Sequence, residues 1–167
     1  LKKFIARGCP VAAERGAGVS SGFLDETYAS AGADLVAPGE AQAWGQADVL
    51  LCVQTPSPAA LTRLRRGALV VGMLAPYGNH ELSEALKACG LSAMALELLP
   101  RISRAQSADV LSSQANIAGY KAVLLGAAAL DRYFPMLMTA AGTVQPARVV
   151  VLGAGVAGLQ AVATARR

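Results

Sequence analysis

Charge is the scarcest property of this sequence. Only 16% of its 167 residues are charged and 5% are aromatic, and there is one histidine. The net charge of +4 is spread along the chain, with Arg63, Arg65 and Arg66 as the only tight basic cluster, read as sitting at a helix end where cations offset the macrodipole. Nucleic-acid recognition calls for a basic stripe or patch, so that class is excluded. The three cysteines, Cys9, Cys52 and Cys89, share no metal-type or redox-type spacing. Each lies in or beside an apolar segment and is expected to be a small buried hydrophobe in a reducing compartment. His80 follows Asn79 in what reads as the first turn of a helix, a solvent-facing place, so no acid–base role is assigned to it. Trp44 and the tyrosines are isolated and read as packing residues. No metal site is expected. No signal peptide is expected, and the longest uncharged run, residues 149–165, is shorter than a usual membrane span. The chain is therefore expected to be soluble.

What the sequence has in quantity is apolar residues, 54% of the total, and 17 glycines. That balance excludes disorder. The recurring unit is a short β-rich run, a turn, and a helix with a signal at each end. Val11 to Glu14 reads as a short strand, and Asp25 to Ala31 as a helix N-capped by Asp25 and ended by Gly32. Asp48 to Val53 is a continuous apolar run, as expected of a strand buried on both faces. Ser57-Pro58 opens a helix that Gly67 closes. Ala68 to Met73 and Ser92 to Leu96 are further strands, separated by a helix that Asn79 caps and Gly90 ends. Such alternation predicts an α/β fold, a parallel sheet in a Rossmann-like first domain. Its span is residues 1–143.

Residues 107–132 read as one long connecting helix. Ala115, Ala118, Gly119, Ala122, Gly126 and Ala127 give it a flat face against which a sheet or a second helix can pack. Residues 134–146, with two prolines and Gly142, read as a connector. Residues 144–167 then read as the first strand, Arg148 to Leu152, and the first helix of a second, incomplete Rossmann domain. The chain is expected to be truncated at both ends: Leu1 to Gly8 reads as the last turns of a helix, and Arg167 as the end of a helix with no following strand.

Two constellations point to chemistry. In the first, the apolar run Val149 to Leu152 leads into Gly153-Ala154-Gly155-Val156-Ala157-Gly158 and a helix. Gly153 permits the tight turn, Gly155 removes the Cβ that would block a pyrophosphate, and Gly158 lets helix and strand lie close. The helix amino end then offers free N–H groups to phosphate oxygens. The acidic residue that would read the ribose falls ~20 residues on, beyond Arg167, so this turn alone does not separate NAD from NADP. The second constellation is the most polar stretch, Pro100 to Asn116, which follows a strand at the end where open α/β sheets bind ligands. Ser103 with Gln106 matches a capping box and Ser107 matches a cap for the long helix. Capping leaves two arginines, Asp109, Asn116 and further serines unexplained, so a ligand-contacting loop is expected.

Pro100-Arg101-Ile102-Ser103-Arg104-Ala105-Gln106-Ser107, Leu111 to Tyr120, Thr139 to Thr143 and Gly153 to Gln160 together resemble the NAD(H)-binding component of the proton-translocating NAD(P) transhydrogenases. Ala108 departs from that pattern, where methionine is frequent. The resemblance implies hydride transfer from NADH to NADP⁺, coupled to proton movement through a separate membrane component. It implies NAD(H) bound here and NADP(H) on a partner component. Arg101, Gln106, Asp109 and Ser112 would lie near the nicotinamide, and Gly153, Gly155, Val156, Ala157 and Gly158 would form the pyrophosphate turn. No residue here would act as an acid or base. The parent is expected to be a homodimer at the cytoplasmic face of a bacterial inner membrane, or on the mitochondrial matrix side. Alanine dehydrogenase shares the architecture, but needs a lysine and a histidine where Gln54 and Ala75 stand. A non-catalytic assembly module is the remaining alternative.

Overall fold

Capped helices alternating with short apolar strands give the α/β class expected. The computed structural model describes residues 1–166 and divides into two compact units, Leu1–Leu96 and Glu97–Arg167. The first unit runs α1 (Lys2–Ile5), β1 (Ala12–Glu14), α2 (Asp25–Ser30), β2 (Asp34–Val36), α3 (Ala41–Gln46), β3 (Val49–Cys52), α4 (Pro58–Leu61), β4 (Leu69–Gly72), α5 (His80–Cys89) and β5 (Ser92–Ala95). Every ladder in it is parallel. β1 pairs with β2, Ala12 opposite Asp34, and β4 lies between β3 and β5, with Leu69 opposite both Val49 and Ser92.

Local chemistry explains the helix ends. Ser57 caps α4 by accepting from the Ala60 N–H, with Pro58 in the first turn, and Asn79 caps α5 by accepting from the Leu82 N–H. α5 stops at Gly90, whose φ of 64° costs a residue without Cβ nothing. The core lies on one face of the three-stranded sheet: Leu61, Leu64, Ala68, Val70, Leu74 and Leu82 are buried, ringed by Trp44, Leu50 and Cys52. Leu61 is fully enclosed. Leu61→Ala is expected to destabilise by about 3 kcal/mol through lost burial and the cavity left. Equilibrium urea unfolding checks this: the midpoint should fall at unchanged slope, and an unmoved midpoint contradicts it.

Several expectations need correction. Asp25 is the first residue of α2 and not its cap; its Oδ1 accepts from the Gly16 N–H at 2.7 Å, closing the preceding loop, and Leu24 holds the cap position. α4 ends at Leu61, and turns carry the chain on to Gly67. The arginines that follow serve tertiary contacts instead of a helix dipole. Arg63 stacks 5.9 Å from the Trp44 ring centre and donates to the Gly39 carbonyl at 3.1 Å, while Arg65 pairs with Asp48. β3 is covered on one face only; Val49, Leu51 and Val53 are exposed, because α4 and α5 pack on the opposite side. Cys9 is exposed, and Cys52 and Cys89 are half-buried. β2 and α3 escaped the sequence reading, being three and six residues long with weak periodicity.

The second unit is built on α6 (Val110–Ala129), β6 (Leu137–Thr139), β7 (Gly142–Val144) and α7 (Val156–Ala165). The expected connector contains an antiparallel hairpin, Leu137 opposite Val144, in which the Thr139 hydroxyl accepts from the Ala141 N–H and donates to the Gly142 carbonyl. Of the expected small-residue face of α6 only Gly119 is buried against α7, where a Cβ would collide with the Ala157 carbonyl; Ala118, Ala122, Gly126 and Ala127 are exposed. That contact draws the long helix to the glycine turn and places both in the second compact unit. Among the described residues no strand pairs with residues 148–152, and Val150 is 82% and Leu152 95% exposed.

Candidate functional site

The polar stretch folds as a six-residue 3₁₀ turn, Ser103–Ala108, leading into α6. Asp109 caps α6, in place of the expected Ser107: its Oδ1 accepts from the Ser112 N–H at 2.9 Å and its Oδ2 from the Ser112 hydroxyl at 2.6 Å. Arg101 closes the triangle. Its Nη2 donates to Ser112 Oγ at 3.3 Å, and its Nε lies 3.9 Å from Asp109 Oδ2. Ser103 caps nothing, because Ile102 occupies the cap position of that turn. Asp109 is thus cap and organiser at once, holding Arg101 and Ser112 together.

The Ser112 hydroxyl and backbone N–H hold the Asp109 carboxyl below its usual value; desolvation opposes them, and Arg101 and the Leu111 N–H add smaller lowering effects. A carboxyl with a folded-state pKa below its unfolded value stabilises above the unfolded value and loses that contribution as pH falls through the folded one. The cap is therefore expected to open at a lower pH than an unperturbed aspartate would allow. Proton NMR titration of the Asp109 carboxyl reads this. A midpoint at the ordinary value counts against the triangle, and Ser112→Ala should move the midpoint up.

Downstream, Gly153 turns the chain with φ at 117°, a conformation that side chains resist. Gly158 packs beneath it: a Cβ there would strike the Gly153 carbonyl. Gly155 differs. It holds the cap position of α7 in extended backbone, makes no side-chain cap, and a Cβ on it would meet no protein atom within 4 Å. The amino end of α7 therefore keeps backbone N–H groups available to an outside acceptor.

The two constellations meet. Gln106, Asp109, Ser112, Ser113, Asn116 and Val156 line one open cleft of ≈ 530 Å³. That volume lies within the range of small-molecule sites. Of the residues singled out from sequence, Gln106, Asp109, Ser112 and Val156 face it directly, and Arg101 reaches it through Ser112 and Asp109. Gly153, Gly155, Ala157 and Gly158 are not in the lining; Gly153, Ala157 and Gly158 set the helix contacts beside it. Ser113 and Asn116 belong to the polar stretch read from the sequence but were given no individual role. The signal lay in helical spacing, since residues 109, 112, 113 and 116 share one face of α6. Gln54 and Ala75 follow β3 and β4 in the first unit, and Ala75 has a positive φ of 47°. His80 is exposed. Among the described residues no cluster of His, Cys, Asp or Glu is arranged to hold a metal, and no helix is long and apolar enough to cross a membrane.

Comparison with known proteins matches the chain to two family models: "Alanine dehydrogenase/PNT, N-terminal domain" over residues 1–118, and "Alanine dehydrogenase/PNT, C-terminal domain" over residues 122–167. An NAD(P) transhydrogenase subunit alpha polypeptide of Rhodospirillum rubrum is 49% identical over 172 residues, an alignment covering 100% of this chain and 44% of that protein. The crystal structure of transhydrogenase from Sinorhizobium meliloti superposes with a TM-score of 0.92 at 51% identity, over 98% of this chain and 48% of that one. An L-alanine dehydrogenase structure follows with a TM-score of 0.81 at 30% identity, over 98% of this chain and 45% of that one. The chain thus spans about half the length of the relatives it matches. On family match, identity and fold together, the chain belongs to the alanine dehydrogenase/PNT family.

Proposed function

We propose that this chain supplies the NAD(H)-binding part of a proton-translocating NAD(P) transhydrogenase. In this reading NADH gives hydride directly to NADP⁺ held on a partner component, and the transfer is coupled to proton movement through a separate membrane component. The observation that carries the reading is the cleft, where the polar loop and Val156, the residue that opens α7 within the glycine turn, line one space. The greater similarity to transhydrogenases than to alanine dehydrogenases supports it.

The residues present fit a dinucleotide. Gly155 leaves open space in front of the α7 amino end, where N–H groups would donate to a pyrophosphate, and Val156 would lie against it. Gly153, Ala157 and Gly158 would hold the turn in that shape. Gln106, Arg101 and Ser112 would fix the nicotinamide end, with Asp109 holding the last two in place. When bound, the nicotinamide supplies the hydride; the chain needs no acid or base for it. What the chain must provide is a fixed ring orientation and the exclusion of water. A polar triangle anchored on a helix cap meets the first demand better than a titrating side chain would. The same reading makes residues 1–143 the first domain of the complete subunit and 144–167 the start of the second. It also implies a homodimer peripheral to the cytoplasmic face of a bacterial inner membrane, or on the mitochondrial matrix side.

Alanine oxidation is the weaker reading, because Gln54 and Ala75 offer neither the amine nor the imidazole that keto-acid chemistry requires. The deciding experiment uses the full-length subunit assembled with its NADP-binding component and NADH carrying deuterium at C4. The label is expected in NADPH and not in water. Label lost to solvent, or no transfer without an added keto acid, overturns the proposal. An assembly-only module would show no NADH fluorescence change on titration.

A further inference from the structure

The lining residue Asn116 has no role in the reading above, yet its surroundings are specific. Its Nδ2 donates to Gln160 Oε1 at 3.3 Å, which ties the second turn of α6 to the second turn of α7. Gln160 is itself oriented: its Nε2 donates to Thr164 Oγ1 at 3.1 Å, and that hydroxyl donates back to the Gln160 carbonyl at 2.8 Å. With Thr164 engaging the amide nitrogen, the Gln160 oxygen is the atom presented to Asn116. Three residues beyond Asn116, Gly119 lies against the Ala157 carbonyl, so the two helices are already at their closest approach. Backbone contact there fixes distance, but a glycine against a carbonyl specifies register less sharply than a directed hydrogen bond does. The Asn116–Gln160 hydrogen bond supplies the sharper constraint, on the face of α6 that also carries Asp109 and Ser112.

We propose, resting on the NAD(H) reading, that Asn116 and Gln160 form a latch that sets the register of α6 against α7. The latch fixes the spacing between the nicotinamide contacts at Gln106 and Ser112 and the pyrophosphate contacts at Gly155 and Val156. Asn116 is a positioning residue. An exposed amide–amide hydrogen bond contributes little to global stability. A ring displaced by about 1 Å, by contrast, loses transfer rate steeply. The two effects separate the latch from a structural role.

The test is made in the full-length subunit assembled with its NADP-binding component. Asn116→Leu keeps the side-chain size and removes the donor. It is expected to slow single-turnover hydride transfer at saturating NADH about 10-fold, while the NADH dissociation constant moves less than about threefold and the Tm stays near wild type. Asn116→Gln and Gln160→Asn each misplace the contact, and the double variant restores the summed length. It is expected to regain most of the rate lost in either single variant. An unchanged rate in Asn116→Leu overturns the latch. So does a proportional loss of affinity and rate, which would make Asn116 a direct nucleotide contact, and so does a double variant no faster than the singles. Failure of the wild-type assembly to bind NADH at all would instead remove the nucleotide reading on which the latch rests.

Discussion

Gly155→Val is expected to leave the fold intact and weaken NADH binding about 100-fold, roughly 2.8 kcal/mol. The backbone at Gly155 is extended, so a side chain is tolerated there, and a Cβ meets open space. Stability should therefore change by no more than about 0.5 kcal/mol, as for ordinary surface substitutions. The protein itself has no need of a glycine at this position; only a ligand approaching the α7 amino end does. Gly158→Val provides the contrast. Its Cβ strikes the Gly153 carbonyl, so it is expected to lose about 1–3 kcal/mol of stability as well as affinity. Thermal unfolding and NADH titration on the same samples separate the two. Wild-type affinity in Gly155→Val would remove the pyrophosphate from this turn.

Arg101→Ala and Gln106→Ala are expected to slow hydride transfer about 100-fold, with NADH affinity falling far less. Arg101 is held by Ser112 and Asp109 and needs no ligand to be in place, whereas Gln106 lies exposed on the cleft wall. Most of the binding surface of a dinucleotide lies away from the reacting ring, so losing one ring contact disturbs orientation before affinity. Single-turnover rates in the assembled enzyme, read beside equilibrium titrations, make the comparison. Unchanged rates in both variants would move the nicotinamide elsewhere. A loss in Gln106→Ala alone would mean that Asp109 and Ser112 hold their geometry without the arginine.

Much of the local structure was legible because its causes are local. Ser57-Pro58 and Asn79 name their own helix starts, and Gly90 names an end, since caps and left-handed glycines act within one turn. Gly153, Gly155 and Gly158 likewise declare a turn whose backbone demands are independent of the rest of the chain. The errors arose where two acceptable local partners competed. Asp25 could cap α2 or close the Gly16 loop, and the tertiary position of that loop chose the second. Ser107 and Asp109 both suited the start of α6, and the 3₁₀ turn placed Asp109 at the cap. The Leu137–Val144 hairpin was missed because its strands are three residues each, too short for an alternation to register.

From composition and order alone came the α/β class, a glycine turn suited to a pyrophosphate and a polar stretch suited to ligand contact. These follow from periodicity, caps and glycine spacing, which are written residue by residue. That the polar stretch would meet the nicotinamide came only from the family resemblance. Only the tertiary structure decided that the segments share one cleft, that Asn116 reaches Gln160, and that Val49 and Leu51 are left exposed on β3. The reason is physical: which residues meet across tens of positions depends on how closely α6 and α7 approach. That distance is set by the missing side chain of Gly119 against the Ala157 carbonyl, a contact between residues 38 positions apart in the chain.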